Sequence, residues 1–302
     1  MKFDFEYEVK KNDEGLLIKE LLKRGGVSAK LIQKIRHSDG SVFRNGKPAI
    51  LIDKVNAEDL VQVKYPEGKS NFDPEPIPID AVYEDDSFLA INKQPGVVIY
   101  PTKGQPNHTL ANGIMKYMLD RGDTYKIRFI NRLDMNTSGL ILVGKNPHVQ
   151  NHFITQGKQG GISKIYRAIV CGIIDEDEGV IDLPIGKDED NIKRIVTEDG
   201  SPSVTEYKVL ERFEEGDGYS YVELNLITGR THQIRVHMSH KGHPVAGDQL
   251  YGGARPMLID RQALHAVKLT FSHPISGKKL NLEAPIPADM ENMLKKLRNN
   301  EN

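Results

Sequence analysis

A proline-rich stretch, PEGKSNFDPEPIPID at residues 66–80, constrains the fold more than any other feature of the chain, because Pro66, Pro74, Pro76 and Pro78 fall within it. Each proline fixes its own φ and removes an amide donor, so neither a helix nor an interior strand runs through such a segment. An extended, polyproline-like path is expected there. The chain of 302 residues is thereby divided into a small unit, 1–65, a linker, 66–80, and a large unit, 81–302. That length accommodates two separate cores.

In the small unit, Leu16, Leu17, Leu21 and Leu22 recur at helical spacing and Gly25-Gly26 ends the run. Ser28 then caps a second helix whose apolar face is Leu31, Ile32 and Ile35. The following SVFRNGKPAIL holds Asn45-Gly46, which suits the positive backbone angles of a tight hairpin, and LVQVKY reads as a further strand. This order resembles the alpha-L RNA-binding module, named for a small-subunit ribosomal protein. The resemblance implies a basic RNA-gripping surface on the second helix and the hairpin, here Lys30, Lys34, Arg36, Arg44 and Lys47, diluted by Asp39 and Glu58. Contacts of that kind act on phosphates and are salt-sensitive and sequence-independent. Residues 1–65 carry thirteen Lys/Arg against ten Asp/Glu in a chain of net charge −1, so nucleic acid must be held by local patches.

Beyond residue 80, FLAIN (88–92), GLILVG (139–144), YRAIVCG (166–172), VTEYKVL (204–210), YVELNLI (221–227) and HAVKLTF (265–271) read as strands. Helices are expected at Leu110–Leu119, Pro147–Gln156 and Thr231–Lys241. Strands and helices do not alternate regularly, which disfavours a doubly wound parallel sheet. The expected class is α+β, around a mostly antiparallel mixed sheet.

Cys171 is the single cysteine and lies in the apolar run IVCGII, so it reads as buried packing, and both an internal disulfide and a thiolate-rich metal site are excluded. No apolar run has the length of a membrane span, and Met1–Lys11 lacks a signal-peptide core. A cytoplasmic protein is expected, with no membrane association and no segment that marks an obligate protein partner.

The segment FINRLDMNTSGLILVGK (129–145) places Arg132 and Asp134 in a polar loop between apolar runs, followed by the turn-forming Thr137-Ser138-Gly139. Together with VYEDDSFLAINKQPGVVIYP (82–101), SKIYRAIVCG (163–172) and TGRTHQIRVHMSHKGHPVAGDQLYG (228–252), it resembles in order and spacing the RluA/RluD-type RNA pseudouridine synthases. The resemblance covers essentially the whole chain. It implies that Asp134 is the catalytic aspartate, Tyr166 the ring that packs on the target base, and Arg235 the partner of the aspartate. It further implies an RNA substrate, ribosomal RNA of the large subunit first and transfer RNA second.

The residue types suit that chemistry. Isomerising uridine breaks the bond from base nitrogen to sugar, turns the trapped uracil and rejoins it through carbon, with no redox or group-carrying cofactor. A carboxylate near the sugar acts either as nucleophile at the anomeric carbon or as base at its neighbour, and both roles stay open. An adjacent guanidinium favours the charged aspartate against desolvation. The face of Tyr166 tolerates rotation of the base, and its hydroxyl is a second candidate for proton transfer. A stacked uridine is unreachable, so the nucleotide is expected to flip out, with Arg132 contacting the RNA or filling the vacated space. Lys164, Arg230, His232 and Lys145 are further candidates for RNA contact.

His232, His237, His240 and His243 invite a metal reading, but 232 and 237 fall on different helix faces and no Glu follows the first His. No metal site is expected; hydrogen-bonded or RNA-contacting histidines are. Asn131 stands where the family usually has His before Arg-Leu-Asp, Gln94 interrupts the usual Asn-Lys-Pro, and Tyr100 replaces a common His before Pro101. An inactive RNA-binding or chaperone-like relative is the alternative class, and retention of Asp134, Tyr166 and Arg235 argues for activity.

Overall fold

A computed structural model describes residues 3–38, 41–65, 68–188, 193–214, 216–253 and 259–299. Asp39 and Pro66 lie outside them.

The N-terminal residues form β1 (Phe5–Glu8), α1 (Ile18–Arg24), α2 (Ala29–Arg36), β2 (Val42–Arg44), β3 (Lys47–Pro48) and β4 (Leu60–Val63). The four strands pair in the order β1-β4-β2-β3, all antiparallel. Ile18, Leu21 and Leu22 of α1 and Leu31, Ile32 and Ile35 of α2 are buried against Val42, Val61 and Val63, a core of their own. Gly26 takes φ +81° after α1, and Ser28 Oγ accepts from the Leu31 amide at 3.3 Å to cap α2. Asn45 and Gly46, at φ 52° and 74°, turn β2 into β3 as their pairing requires.

Residues 68–80 form no helix or strand but are fastened along the next helix rather than spanning free space. Asn112 Nδ2 donates to the Asp73 carbonyl at 2.9 Å, the Glu75 amide donates to the Asn112 carbonyl at 3.1 Å, and Ile77 lies so close to Gly113 that a Cβ there would sit 2.9 Å from it. The expected linker is thus a strap.

The large unit follows with β5 (Ala81–Glu84), β6 (Phe88–Lys93), α3 (Leu110–Asp120), β7 (Arg128–Phe129), β8 (Ser138–Gly144), α4 (Pro147–Lys158), β9 (Ser163–Cys171), β10 (Glu178–Asp182), β11 (Ile185–Lys187), β12 (Arg194–Val196), β13 (Val204–Phe213), β14 (Tyr219–Leu226), α5 (Gln233–His240), β15 (Leu264–Ser272), β16 (Lys279–Glu283) and α6 (Ala288–Asn299). Ten of the strands make one sheet, ordered β10-β13-β14-β9-β15-β8-β6-β5, with β16 on β15 and β7 on β8; β11 and β12 pair separately. The class is α+β, as expected. β8 and β15 form the single parallel strand pairing among the described residues.

The period of two explains the layers. In β6 and β8, Leu89, Ile91, Ile141 and Val143 face a core shared with α3, α5 and α6, whereas Phe88, Ala90, Leu140 and Leu142 face one shared with α4. Strands covered on both faces read as unbroken apolar runs. The parallel junction depends on Gly139, whose φ is +110° and where a Cβ would stand 2.3 Å from the Ala266 carbonyl oxygen.

Several helix boundaries differ from expectation: α1 begins at Ile18, leaving Leu16 and Leu17 before it, α3 ends at Asp120 and α4 at Lys158. α5 begins at Gln233 rather than Thr231, with His232 left-handed at φ 58° just before it. Gln233 causes this, because its Oε1 accepts from the Arg230 amide and Thr228 Oγ1 while its Nε2 donates to the Val204 carbonyl and Thr205 Oγ1. That pins 228–232 as a tight turn against the end of β13. Cys171 is buried at the end of β9.

Candidate functional site

An open cleft of about 750 Å³ gathers Arg132, Asp134, Lys164, Tyr166, Arg230, His232 and Arg235 from three separate segments, joined by Tyr100 and Arg194. Asp134 stands on the 131–137 loop between β7 and β8, Tyr166 on the central strand β9, and Arg235 on the first turn of α5.

The loop is held from inside. Asn131 Nδ2 donates to the Leu140 carbonyl at 3.0 Å and its Oδ1 accepts from the Leu142 amide at 2.8 Å, so this side chain continues the β7–β8 ladder in place of backbone. Lys93, fully buried, donates to the carbonyls of Gln94, Val97 and Met135, the last directly after Asp134. Burial and the neighbouring Arg261 cation push its amine down to about 7, opposed by the charge of Asp134. Arg261 Nη1 donates to the Asn136 carbonyl at 3.1 Å while its fork grips Asp289.

Arg235 lies between two carboxylates. Its Nε and Nη2 donate to Asp248 at 2.6 and 2.9 Å, and its Nη1 donates to Asp134 Oδ2 at 2.9 Å. Asp248 is 1% exposed, Arg235 8% and Asp134 27%, so the network runs from the interior to an acid open to the cleft. The paired acids hold the guanidinium charged against its burial. Asp134 Oδ1 has no hydrogen bond among the described residues and remains free to engage a substrate. Tyr166 is buried between Leu224 and Ala266 of the flanking strands, and burial with the Asp134 charge raises its phenol well above the usual range. At neutral pH it is therefore a phenol, able to donate a proton but not to take one.

Arg132 and Arg230 are exposed at the rim and Lys164 is half-buried inside it. Burial lowers the Lys164 amine. Lys145, expected nearby, is turned away, its Nζ donating to Glu84 at 2.8 Å over the Tyr125 ring. His237 and His243 are taken up by hydrogen bonds, to Thr205 and the Leu183 carbonyl and to the Cys171 carbonyl. No group of three potential metal ligands occurs among the described residues.

The basic residues of the small unit do not form one patch. Lys30 and Lys34 share one side of α2 by their spacing, whereas Arg36 turns to the far side and lines a groove with Lys19, Lys23 and the exposed Ile52. Arg44 Nη1 donates to the Lys54 carbonyl at 2.6 Å, and Lys47 is exposed.

A family model described as RNA pseudouridylate synthase matches residues 87–240, the span that contains the loop, β9 and α5. The chain belongs to the RNA pseudouridine synthase family. It is 38% identical over 283 residues to a Bacillus subtilis uncharacterized RNA pseudouridine synthase, YjbO, covering 93% of this chain and 99% of that protein. It is 40% identical over 275 residues to ribosomal large subunit pseudouridine synthase D of Neisseria meningitidis, covering 86% of this chain and 72% of that one. The structure of human RNA pseudouridylate synthase domain containing 1 superposes with a TM-score of 0.59 at 28% identity, over 73% of this chain and 95% of that chain. The protein is thus an RNA pseudouridine synthase, an isomerase acting on RNA.

Sequence reasoning missed several residues that shape this synthase site. Lys93 stood within a matched block, in Asn92-Lys93-Gln94, and Arg261 outside all of them; neither read as a site residue, since a buried cation cannot be told from a solvated one along the chain. Asp248 and Tyr251 stood within a matched block, and an acid in a Gly-led turn was the available clue.

Proposed function

We propose that this synthase isomerises uridine in large-subunit ribosomal RNA, with Asp134 attacking the sugar carbon or removing the adjacent proton, Tyr166 packing on the uracil, and Arg235 holding the aspartate. The observation that carries this reading is the Arg235–Asp134 contact at 2.9 Å, at the mouth of a cleft floored by Tyr166 and rimmed by Arg132, Lys164 and Arg230. One carboxylate oxygen is held by the guanidinium and the other is presented, which is the arrangement a nucleophile or a base requires. A phenol at Tyr166 fits a platform and proton donor. The cationic rim suits phosphates on either side of a flipped nucleotide, and Arg132 is placed to enter the vacated stack. The ribosomal target rests on the similarity to proteins named for the large subunit.

The small unit is proposed as a second RNA grip through the groove that Lys19, Lys23 and Arg36 line, with Lys30, Lys34 and Lys47 as separate phosphate contacts. A cytoplasmic location is proposed with it, as the compartment that holds such RNA substrates. Among the described residues no helix is long and apolar enough to cross a membrane.

The test is to treat RNA from cells lacking the protein and map pseudouridine. New sites in large-subunit RNA are expected with wild type and none with Asp134→Asn, whose RNA affinity stays unchanged. Modification of transfer RNA alone would reassign the substrate, and turnover by Asp134→Asn would remove the aspartate from the mechanism.

A further inference from the structure

His232 holds a left-handed backbone angle, φ 58°, at the mouth of α5, with its Nε2 3.8 Å from Asp134 Oδ2. Its other nitrogen, Nδ1, lies 2.8 Å from the Tyr251 hydroxyl, and that hydroxyl accepts from the Arg194 amide at 2.8 Å. A phenol has one proton to give. The Arg194 amide occupies one lone pair, and among the described residues Nδ1 is the acceptor within reach of the phenol's proton; its donation to Nδ1 leaves the hydrogen on Nε2, facing Asp134. Burial and the cations Arg235 and Arg194 favour the neutral ring, against the pull of Asp134 and Asp248.

The same turn governs both groups that face the aspartate. Asp248 grips Arg235 through two bonds and also accepts from the amides of Leu250 and Tyr251, which fixes the turn that carries the Tyr251 ring. That ring lies 5.0 Å from the Arg235 guanidinium carbon, and the Tyr251 carbonyl accepts from Ser239 Oγ on α5.

We propose that His232 is a positioning residue for Asp134: locked by Tyr251 as the Nε2–H tautomer, it converges with Arg235 on Oδ2 and so leaves Oδ1 as the reacting oxygen. The inference rests on the isomerase reading of Asp134.

Two isosteres separate this role from a backbone one. The amide of Gln reaches the position of Nε2, whereas that of Asn reaches only Nδ1. Asn also tolerates the left-handed angle better than Gln. Positioning through Nε2, which at 3.8 Å is a polar contact and not a hydrogen bond, predicts that His232→Asn lowers kcat about 5-fold with KM unchanged, while His232→Gln recovers most of it. A purely backbone role predicts the reverse order, and that order, or a loss confined to KM, overturns the proposal. Tyr251→Phe is expected to lower kcat about 5-fold with His232 intact. Imidazole nitrogen NMR provides a readout independent of turnover: a neutral Nε2–H ring at neutral pH in wild type, lost in Tyr251→Phe, is expected, and an Nδ1–H or doubly protonated ring in wild type refutes the tautomer. Wild type and Asp134→Asn in the same assay test the isomerase reading separately.

Discussion

Asn131 shows how much a single side chain can hold at the residue scale. Its amide both donates to and accepts from β8, so the departure from the family's usual His is the substitution of a backbone mimic that anchors the loop of Asp134. Asn131→Asp keeps the shape but sets a carboxylate oxygen against the Leu140 carbonyl. A loss of about 1–3 kcal/mol in urea unfolding is expected. Arg235 is a harsher case, because removing it strands Asp248 at 1% exposure. Arg235→Met should cost about 3–5 kcal/mol, and adding Asp248→Leu should return part of that, since the interior then holds no unpaired charge. Chemical denaturation of the single and double variants checks both, and an additive double variant would contradict the coupling.

At the scale of elements, the parallel contact of β8 with β15 sets the distance between the Asp134 loop and the rest of the site. Gly139→Ala meets two obstacles there, a φ of +110° and a Cβ 2.3 Å from the Ala266 oxygen. The expected cost exceeds about 4 kcal/mol, seen as a low melting temperature or insolubility. Most elements were legible in the sequence because period and punctuation are local: the runs at 88–92, 139–144 and 204–210 all became strands, and Ser28 and Gly26 bound helices where expected. The start of α5 was not legible. It depends on Gln233 reaching across to β13, a contact between residues distant along the chain.

Across the whole molecule, the small unit touches the large one where Phe5 packs edge-on to His148, at 5.8 Å, and where His148 approaches Gly26. Burial and the nearby His152 push His148 down to about 4, against a hydrogen bond to the Gly26 backbone. Burial likewise takes His265, at the β8–β15 junction, to about 4. In each case the unfolded chain binds the proton at higher pH than the native one. Stability is therefore fully present above about pH 6.5 and is lost as pH falls toward 4, by about 3 kcal/mol per histidine. Melting temperature against pH should show this decline, and His148→Gln should flatten part of it; a slope unchanged in that variant would remove His148 as a cause.

The sequence by itself determined the α+β class, most element positions, and the family, because hydrophobic period, turn residues and motif spacing are written along the chain. Through the family resemblance it also named Asp134, Tyr166 and Arg235 together, as one set of candidate site residues. Only the tertiary structure decided that they meet in one cleft, that the proline-rich segment is a strap on α3, and that Lys145 is spent on Glu84. It alone placed Asp248 and Tyr251 behind Arg235 and His232. Burial and hydrogen-bond partnership are properties of surfaces brought together from remote parts of the chain, and no local pattern records which surfaces those are.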